Sequence, residues 1–310
     1  MKTAQVGIVI ALLISVALSG LVLRVLADAS APSKLSGLFP ISEGVIDQVL
    51  IEGDGEAARI VKSGDSGWRI GIHEAFSLRL TGLWSLSERL KQAQLVAEEE
   101  VHHSRLGVDD ANAVRVKFFK GQSVVEELLI GRWSTQSGLS YLRKPANNTV
   151  FSVPFDLRSI FDASAKAWRN PVVLDLDPEQ ITQITFMYPD QRVALERQLS
   201  DSISWYVVTP EGRQAAVISS VQQVIERLTP LFSTDFPSDN EARELSFNEP
   251  DFAIEIISTG ETPFKVLSMV ERDETSYYVK LADEDTVFIL NQAQSEALLK
   301  KAEDFLPTES

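Results

Sequence analysis

The sequence predicts an α+β protein in which an N-terminal transmembrane helix precedes two tandem copies of an antiparallel-sheet-plus-helices module. Three observations predict this arrangement. The chain begins with an uncharged apolar run, the remainder alternates between strand and helix patterns, and these patterns recur about 137 residues apart. A chain of 310 residues is long enough for two domains of ordinary size.

The apolar run extends over Val6–Leu23 and contains no charged residue. Eighteen helical residues span about 27 Å, close to the thickness of the hydrocarbon core of a bilayer. We therefore predict an anchor over residues 1–28 and a short linker over residues 29–37. A cleaved signal peptide is the alternative, because Ala27-Asp28-Ala29 resembles a small-residue cleavage site. The prediction is a single-pass inner-membrane protein with the residues after about Ala29 in the periplasm.

Composition excludes several classes of function. The net charge of −15 repels phosphate backbones, so we predict no nucleic-acid partner. The absence of cysteine excludes disulfides, thiol nucleophiles and cysteine metal sites. The sequence also contains neither a P-loop string nor a G-x-S-x-G elbow, so the chain is not itself a P-loop ATPase.

The first half of the module occurs twice in the same order. Apolar and polar residues alternate in Ile46–Ile51 and again in Ile181–Phe186, as they do in half-buried strands. Trp68 and Trp205 follow 137 residues apart, and we interpret each as closing the second strand of a hairpin. Helical spacing comes next in both copies, with apolar faces formed by Leu83, Leu86, Leu90 and Ala93, and by Val217, Val221, Val224, Ile225 and Leu228.

The second half of the module also repeats. Alternating strands begin at Val114–Phe118 and Phe252–Ile256, and a short helix closes each copy, after Pro154 and after an N-cap at Asn291. Each copy therefore has the predicted order of two strands, a helix, a meander of three or four strands and a final helix. Short connections favour antiparallel pairing. The predicted repeats cover residues 38–165 and 166–306.

Between Gly44 and Leu299 the chain contains an ordered series of short segments, namely Gly67-Trp68, Leu106-Gly107, Ile130-Gly131, Ser140-Tyr141-Leu142, Val150-Phe151-Ser152-Val153, Trp168-Arg169-Asn170-Pro171 and Leu174-Asp175-Leu176-Asp177-Pro178. This ordered pattern resembles the bacterial domain of unknown function 4340 family. The resemblance implies a membrane-anchored exported protein that is an auxiliary component of ABC-type transport systems of the gliding-motility kind. It supplies no catalytic residues.

The second copy departs from the family pattern at one turn. Met269-Val270-Glu271 stands where the first copy has Ile130-Gly131, so any role of this turn is expected only in the first copy.

The sequence offers one candidate for metal binding. Glu98 and His102 would share a helix face at a spacing of four residues, with His103 adjacent. A usable site needs three or more ligands, so we interpret the segment as a solvated helix end. We interpret His73 as a surface residue in a loop. No metal and no cofactor is predicted.

Other chemistry-bearing residues have structural interpretations. Asp109-Asp110, Asp175 and Asp177 supply carboxylates of the kind used in glycoside hydrolysis, but they lie at turns or strand starts. The repeated Trp68 and Trp205 are interpreted as core residues rather than a ligand-stacking pair. The segment Trp168-Arg169-Asn170-Pro171 is the connector between the copies. We hypothesise that Arg169 in this connector pairs with an acid and fixes the angle between the copies.

The predicted function is that of an exported, non-enzymatic accessory protein, an auxiliary component of an ABC-type transport system. Its expected partners are the membrane, through Val6–Leu23, and a protein such as an ABC permease. The alternative is an exported carbohydrate-binding or hydrolytic domain that uses acidic residues. No catalytic, cofactor-binding or metal-binding residue is assigned.

Overall fold

A computed structural model of the chain describes residues 42–64, 67–199, 203–260 and 263–307. The chain divides into two compact units between Trp168 and Arg169, whereas the sequence placed the boundary after residue 165. The predicted anchor and linker, residues 1–28 and 29–37, lie outside the described residues. In the part of the chain that is described, no helix has the length and apolar character needed to cross a membrane.

The first unit is built on one nine-stranded antiparallel sheet of order β4-β3-β2-β1-β6-β7-β8-β9-β5. Its strands are β1 (Gln48–Gly53), β2 (Glu56–Lys62), β3 (Trp68–Ile70), β4 (His73–Glu74), β5 (Gln94–Ala97), β6 (Val114–Lys120), β7 (Ser123–Ile130), β8 (Ser140–Arg143) and β9 (Val150–Val153). Its helices are α1 (Ser77–Trp84), α2 (Leu86–Arg89), α3 (His103–Leu106) and α4 (Leu157–Ile160). Short 3₁₀ turns cover Leu90–Gln92, Glu100–His102 and Ala165–Trp168.

The second unit has an eight-stranded sheet of order β14-β13-β12-β11-β16-β17-β18-β19 and a two-stranded sheet of β10 and β15. Its strands are β10 (Val172–Leu174), β11 (Ile181–Met187), β12 (Arg192–Leu199), β13 (Ile203–Thr209), β14 (Gly212–Ala215), β15 (Leu231–Phe232), β16 (Phe252–Ser258), β17 (Phe264–Asp273), β18 (Ser276–Leu281) and β19 (Phe288–Asn291). Its helices are α5 (Ile218–Leu228), α6 (Asp239–Glu244) and α7 (Gln292–Leu298). Two 3₁₀ turns cover Pro178–Gln180 and Ala302–Phe305.

The two large sheets have the same strand order through eight positions. The series from β4 to β9 in the first unit matches the series from β14 to β19 in the second, strand for strand. A duplicated module requires this correspondence. The units differ after their helices, where β5 joins the edge of the first sheet but β15 pairs with β10 instead. The antiparallel pairing predicted from short connections is confirmed in both sheets.

The predicted position of the two tryptophans was wrong by one strand. Trp68 lies in β3 and Trp205 in β13, the third strand of each sheet rather than the second. In the first unit the reason is a tight turn between β1 and β2. Asp54 and Gly55 both have positive φ, 52° and 82°, as in the type I′ turns that join twisted strands. Four strands therefore precede the helices where the sequence predicted two.

The helix predictions differ in outcome between the units. In the second unit Val221, Val224, Ile225 and Leu228 are buried on one face of α5, as predicted, whereas Val217 is the N-cap residue and is only half-buried. In the first unit the predicted apolar face is buried, but the helix is broken at Ser85 into α1, α2 and a 3₁₀ turn. Gly82 and Ser85 both have low helix propensity, which favours this break. The predicted N-cap at Asn291 is confirmed, with a capping box to Gln294.

Trp168 closes the core of the first unit. Its side chain is fully buried, and its indole N–H donates to the carbonyl oxygen of Asp162 at 2.8 Å. The Arg79 guanidinium lies over the ring, 4.7 Å from its centroid. The backbone carbonyl of Trp168 also accepts a hydrogen bond from the N–H of Phe76 at 2.9 Å. The first unit therefore includes this end of the connector.

Arg169, the next residue, belongs to the second unit. Its guanidinium pairs with Asp239 at 2.8 Å and lies 5.5 Å from the ring centroid of Phe236. The predicted pairing with an acid is confirmed, and the acid is part of the same unit as Arg169. The pair therefore fastens the start of the second unit to its own α6.

We predict that Arg169→Ala lowers the free energy of unfolding of the second unit by about 1–2 kcal/mol, since an ion pair and a cation–π contact are lost together. Hydrogen exchange of peptides from residues 169–307 in increasing urea measures this change. Arg192→Ala is the matched control, because its pair with Glu255 is also 2.8 Å long but the arginine side chain is 60% exposed. The control should change the free energy by less than about 0.5 kcal/mol. Equal losses in both variants would contradict the prediction.

Candidate functional site

The predicted metal candidate is not assembled. Glu98 follows strand β5 and His102 lies in a 3₁₀ turn, so the two do not share one helix face. The interpretation of this segment as solvated holds for residues 98–101, which are exposed. The segment is not a helix end, however, and His103 is buried with its Nε2 2.9 Å from the carbonyl oxygen of Asn148. Within the described ranges, no three His, Cys, Asp or Glu side chains are grouped to hold a metal. His73 lies in β4 and is half-buried.

Three of the four candidate carboxylates serve local structure. Asp109 accepts hydrogen bonds from the N–H of Ala111 at 3.1 Å and the side-chain amide of Asn112 at 2.9 Å. Slight burial acts to raise the pKa of Asp109, but these hydrogen bonds outweigh it and lower the pKa. Asp110 pairs with Arg115 at 2.7 Å. Asp177 caps a 3₁₀ turn by accepting from the N–H of Glu179 at 2.9 Å, and Asp175 is exposed.

Both repeated tryptophans are core residues. Trp68 and Trp205 are 4% and 5% exposed and belong to the main apolar clusters of their units. The Trp68 indole N–H donates to Glu43 at 3.0 Å, and its ring centroid lies 5.1 Å from that of Trp84. The interpretation of the tryptophans as core residues is therefore confirmed.

A cavity of about 450 Å³ opens on the first unit, and its lining is basic and aromatic. Arg105 comes from α3, Arg132 and Trp133 follow the end of β7, and Tyr141 comes from β8. The described lining residues include no aspartate or glutamate. We call this cavity the basic pocket. A concave site with two arginines and two aromatic rings is suited to holding an anion.

Two glycines bring the walls of the basic pocket together. Gly107 ends α3 with φ +68°, and a Cβ atom at this residue would lie 3.3 Å from the backbone nitrogen of Arg132. A Cβ at Gly131 would overlap the carbonyl oxygen of Leu106. The backbones on either side therefore approach more closely than any side chain permits. This approach places Arg132 beside the end of α3.

Arg158 supports the same turn from the inside. Its Nε donates to the carbonyl oxygen of Gly131 at 3.2 Å, a further N–H donates to the carbonyl of Asn112, and its guanidinium pairs with Asp54 at 3.4 Å. Burial lowers the pKa of Arg158, Asp54 opposes this change, and the positive charge of Arg132 lowers the pKa further. Positive charge is thus concentrated around the turn that carries Arg132.

The corresponding place in the second unit is built differently. Ile130 pairs with Leu142 in the first sheet as Met269 pairs with Val279 in the second. By this register, Val270, Glu271 and Arg272 stand where the first unit has Gly131, Arg132 and Trp133. Tyr278, the counterpart of Tyr141, donates its hydroxyl to Glu241, and Arg272 lies 5.7 Å from its ring centroid. Burial and this hydrogen bond raise the pKa of Tyr278.

Two further cavities lie beside α5 and α7 in the second unit. Their volumes are about 420 Å³ and 350 Å³, and both are lined by Arg227 and Ala297. Glu226 lines the larger and Asp304 the smaller, so acidic and basic groups are mixed there. The basic pocket differs from them in having charges of one sign.

A sequence profile for a family described as a domain of unknown function (DUF4340) matches residues 68–244 and, in a second match, residues 205–309. The chain belongs to this family. The two DUF4340 matches begin at the equivalent tryptophans of β3 and β13. All the described lining of the basic pocket falls within the first DUF4340 match. No curated protein and no solved structure matches the chain.

The sequence interpretation did not single out Arg105, Arg132 or Trp133. A signal for them was present, because Arg105 directly precedes Leu106-Gly107 and Arg132-Trp133 directly follows Ile130-Gly131. Both glycine segments belong to the pattern by which the family resemblance was identified. Basic residues beside such glycines, in an acidic chain, were the available indication of a site.

We predict that Gly131→Ala lowers the free energy of unfolding of the first unit by about 1–3 kcal/mol or more, since the new methyl group meets a backbone oxygen that has little room to move. Urea unfolding monitored by hydrogen exchange of peptides from residues 67–168 measures this change. Gly82→Ala is the matched control, because nothing lies within 4 Å of the place that a methyl group would take on this residue of helix α1. The control should stabilise the unit by up to about 1 kcal/mol. If Gly131→Ala leaves the free energy of unfolding unchanged, the two backbones do not approach as closely as described.

Proposed function

We propose that the chain is a membrane-anchored, exported, non-enzymatic accessory protein of an ABC-type transport system. The observation that carries the proposal is the uncharged run Val6–Leu23, which stands ahead of two compact units of acidic chain. An apolar run of this length is typical of a membrane span. The domain that follows has the size and polarity of an exported soluble domain.

The connection with transport is supported by the family. Membership of DUF4340 agrees with the resemblance whose implied setting is an ABC-type transport system. The chain has one apolar run of spanning length and no P-loop string, so permease and ATPase functions would belong to other subunits. The function that remains for this chain in such a system is an auxiliary one.

The basic pocket supports binding as the activity of the exported domain. Its described lining offers guanidinium groups and aromatic rings rather than a paired acid and base. Of the candidate carboxylates of the hydrolytic alternative, Asp109, Asp110 and Asp177 are used in a turn, an ion pair and a cap. A binding role needs only the positive charge and the aromatic surface that the pocket contains.

Crosslinking in native membranes tests the proposed role. The tagged full-length protein is crosslinked, purified and analysed by mass spectrometry, together with an unrelated single-span protein carrying the same tag as the control. We expect an ABC permease or its ATPase to be enriched over the control. Recovery of the protein alone, cleaved near Ala29 and in the soluble fraction, would contradict both the anchor and the accessory role.

We predict that Ile14→Arg releases the protein from the membrane fraction. A charged side chain near the middle of a single span is unfavourable by about 2.5–3.5 kcal/mol. Carbonate extraction followed by immunoblotting of pellet and supernatant measures the distribution. Ile14→Leu keeps the segment apolar and should stay in the pellet with the unsubstituted protein. Retention of Ile14→Arg in the pellet would argue against Val6–Leu23 as the anchor.

A further inference from the structure

We propose that the basic pocket of the first unit binds an organic anion, in which a carboxylate or phosphate is attached to a ring that packs against Trp133. Arg105 and Arg132 are the expected partners of the acidic group. The idea that such a ligand is the cargo or signal of a transporter rests on the proposed function. The binding of the ligand to the pocket is argued independently of that function.

The charge of the pocket is the first support. In the described ranges neither Arg105 nor Arg132 takes part in an ion pair, although the chain as a whole has a net charge of −15. Arg158 donates to the carbonyl oxygen of Gly131, the residue next to Arg132, so two like charges meet at this turn and repel each other. An anion between the walls relieves this repulsion, and guanidinium groups bind carboxylate and phosphate through paired hydrogen bonds.

The aromatic lining and the size of the cavity define the remainder of the ligand. Trp133 and Tyr141 are half-buried and line the same cavity as the two arginines. Aromatic side chains offer large apolar faces on which a ring packs. A volume of about 450 Å³ is within the range of sites for small molecules. The pocket therefore suits a single ring with an acidic substituent.

The second unit shows how the same module accommodates a carboxylate. There the carboxylate of Glu241 accepts a hydrogen bond from Tyr278 and lies 3.9 Å from the guanidinium of Arg272. Leu106 and Tyr141 belong to one apolar cluster, as Leu245 and Tyr278 do in the second unit. Counting back four residues from each leucine, His102 stands at the position of Glu241. The second unit supplies its own acidic group to this tyrosine. In the first unit His102 stands there and brings no carboxylate, and the nearby Arg105 and Arg132 have no ion-pair partner among the described residues, so an acid from outside can take this role.

Isothermal titration calorimetry on the full-length protein in detergent tests the proposal. The probes are phenyl phosphate, benzoate, inorganic phosphate and neutral benzyl alcohol. We expect phenyl phosphate or benzoate to bind more tightly than inorganic phosphate and benzyl alcohol, and binding to weaken as salt is raised. The stronger of the two aromatic acids identifies phosphate or carboxylate as the preferred group. Absence of binding by both acids, or equal binding of benzyl alcohol, overturns the proposal.

Variants assign the binding to this pocket. Arg132→Gln and Arg105→Gln should each lower the affinity for the preferred aromatic acid by about tenfold or more, since each removes a charged hydrogen-bond partner. Trp133→Ala should weaken the binding of the aromatic acid but leave the binding of inorganic phosphate unchanged. Arg59→Gln, an exposed arginine of β2 outside the pocket, is the matched control and should bind as the unsubstituted protein does. Equal affinity of Arg132→Gln and Arg59→Gln would place the site elsewhere and overturn the assignment.

The test separates this proposal from the proposed function. If crosslinking recovers an ABC permease but neither aromatic acid binds, the anion site falls and the accessory role stands. If an aromatic acid binds through Arg132 while no permease is recovered, the accessory role falls and the anion site stands. The Arg132 side chain is exposed, so Arg132→Gln should fold normally. Its thermal unfolding temperature shows whether a loss of binding is caused by a loss of folding.

Discussion

The pairing of β1 with β6 in the first unit, and of β11 with β16 in the second, is the contact on which the rest of each fold depends. The neighbouring strand pairs on either side of these ladders are hairpins, whose two strands follow each other directly in the chain. The strands of these two ladders, in contrast, are separated in the chain by further strands and by helices. Closing so long a loop is entropically unfavourable. Buried apolar pairs offset this loss, with Ile51 facing Val116 and Ile184 facing Ile256. Each ladder therefore turns two separate meanders into one sheet.

The strands of these ladders were also the ones most readily predicted from the sequence. Val49 and Ile51 alternate with half-buried neighbours, because only one face of the strand is packed in the core. Strands β3 and β4, of three and two residues, are too short to show a period. The sequence interpretation therefore passed from one hairpin directly to the helices. Long-range pairing and the extra edge strand β5 depend on which segments meet, which periodicity does not encode.

The candidate site was less predictable than the fold for a related reason. The sequence showed the glycines 107 and 131, but not that their backbones touch. Arg158 donates to the carbonyl of Gly131 from 27 residues away, and His103 reaches the carbonyl of Asn148 from 45 residues away. Such contacts exist only after the sheet has formed. The family segments are therefore recognisable in the sequence, whereas the pocket that they enclose is visible only in the structure.

The two units illustrate what a duplication allows. Leu106, Val108, Val150 and Tyr141 form a small apolar cluster in the first unit, and the cluster of Tyr278 and Val287 with Leu245 and Phe247 repeats it in the second. Above this shared base the second unit packs Val270 and ties Tyr278 to Glu241. The first unit keeps two glycines and arginines of like charge in the same place.

Packing that fills a surface and pairs its charges favours stability, whereas an open cavity with repelling charges does not. Natural proteins retain such local conflicts mainly where a site requires them. A module present in two copies can meet both demands at once, since the packing lost in one copy leaves the other intact. On this argument the second unit preserves the stable form of the module, and the first unit preserves the form in which an acidic group is still to be supplied.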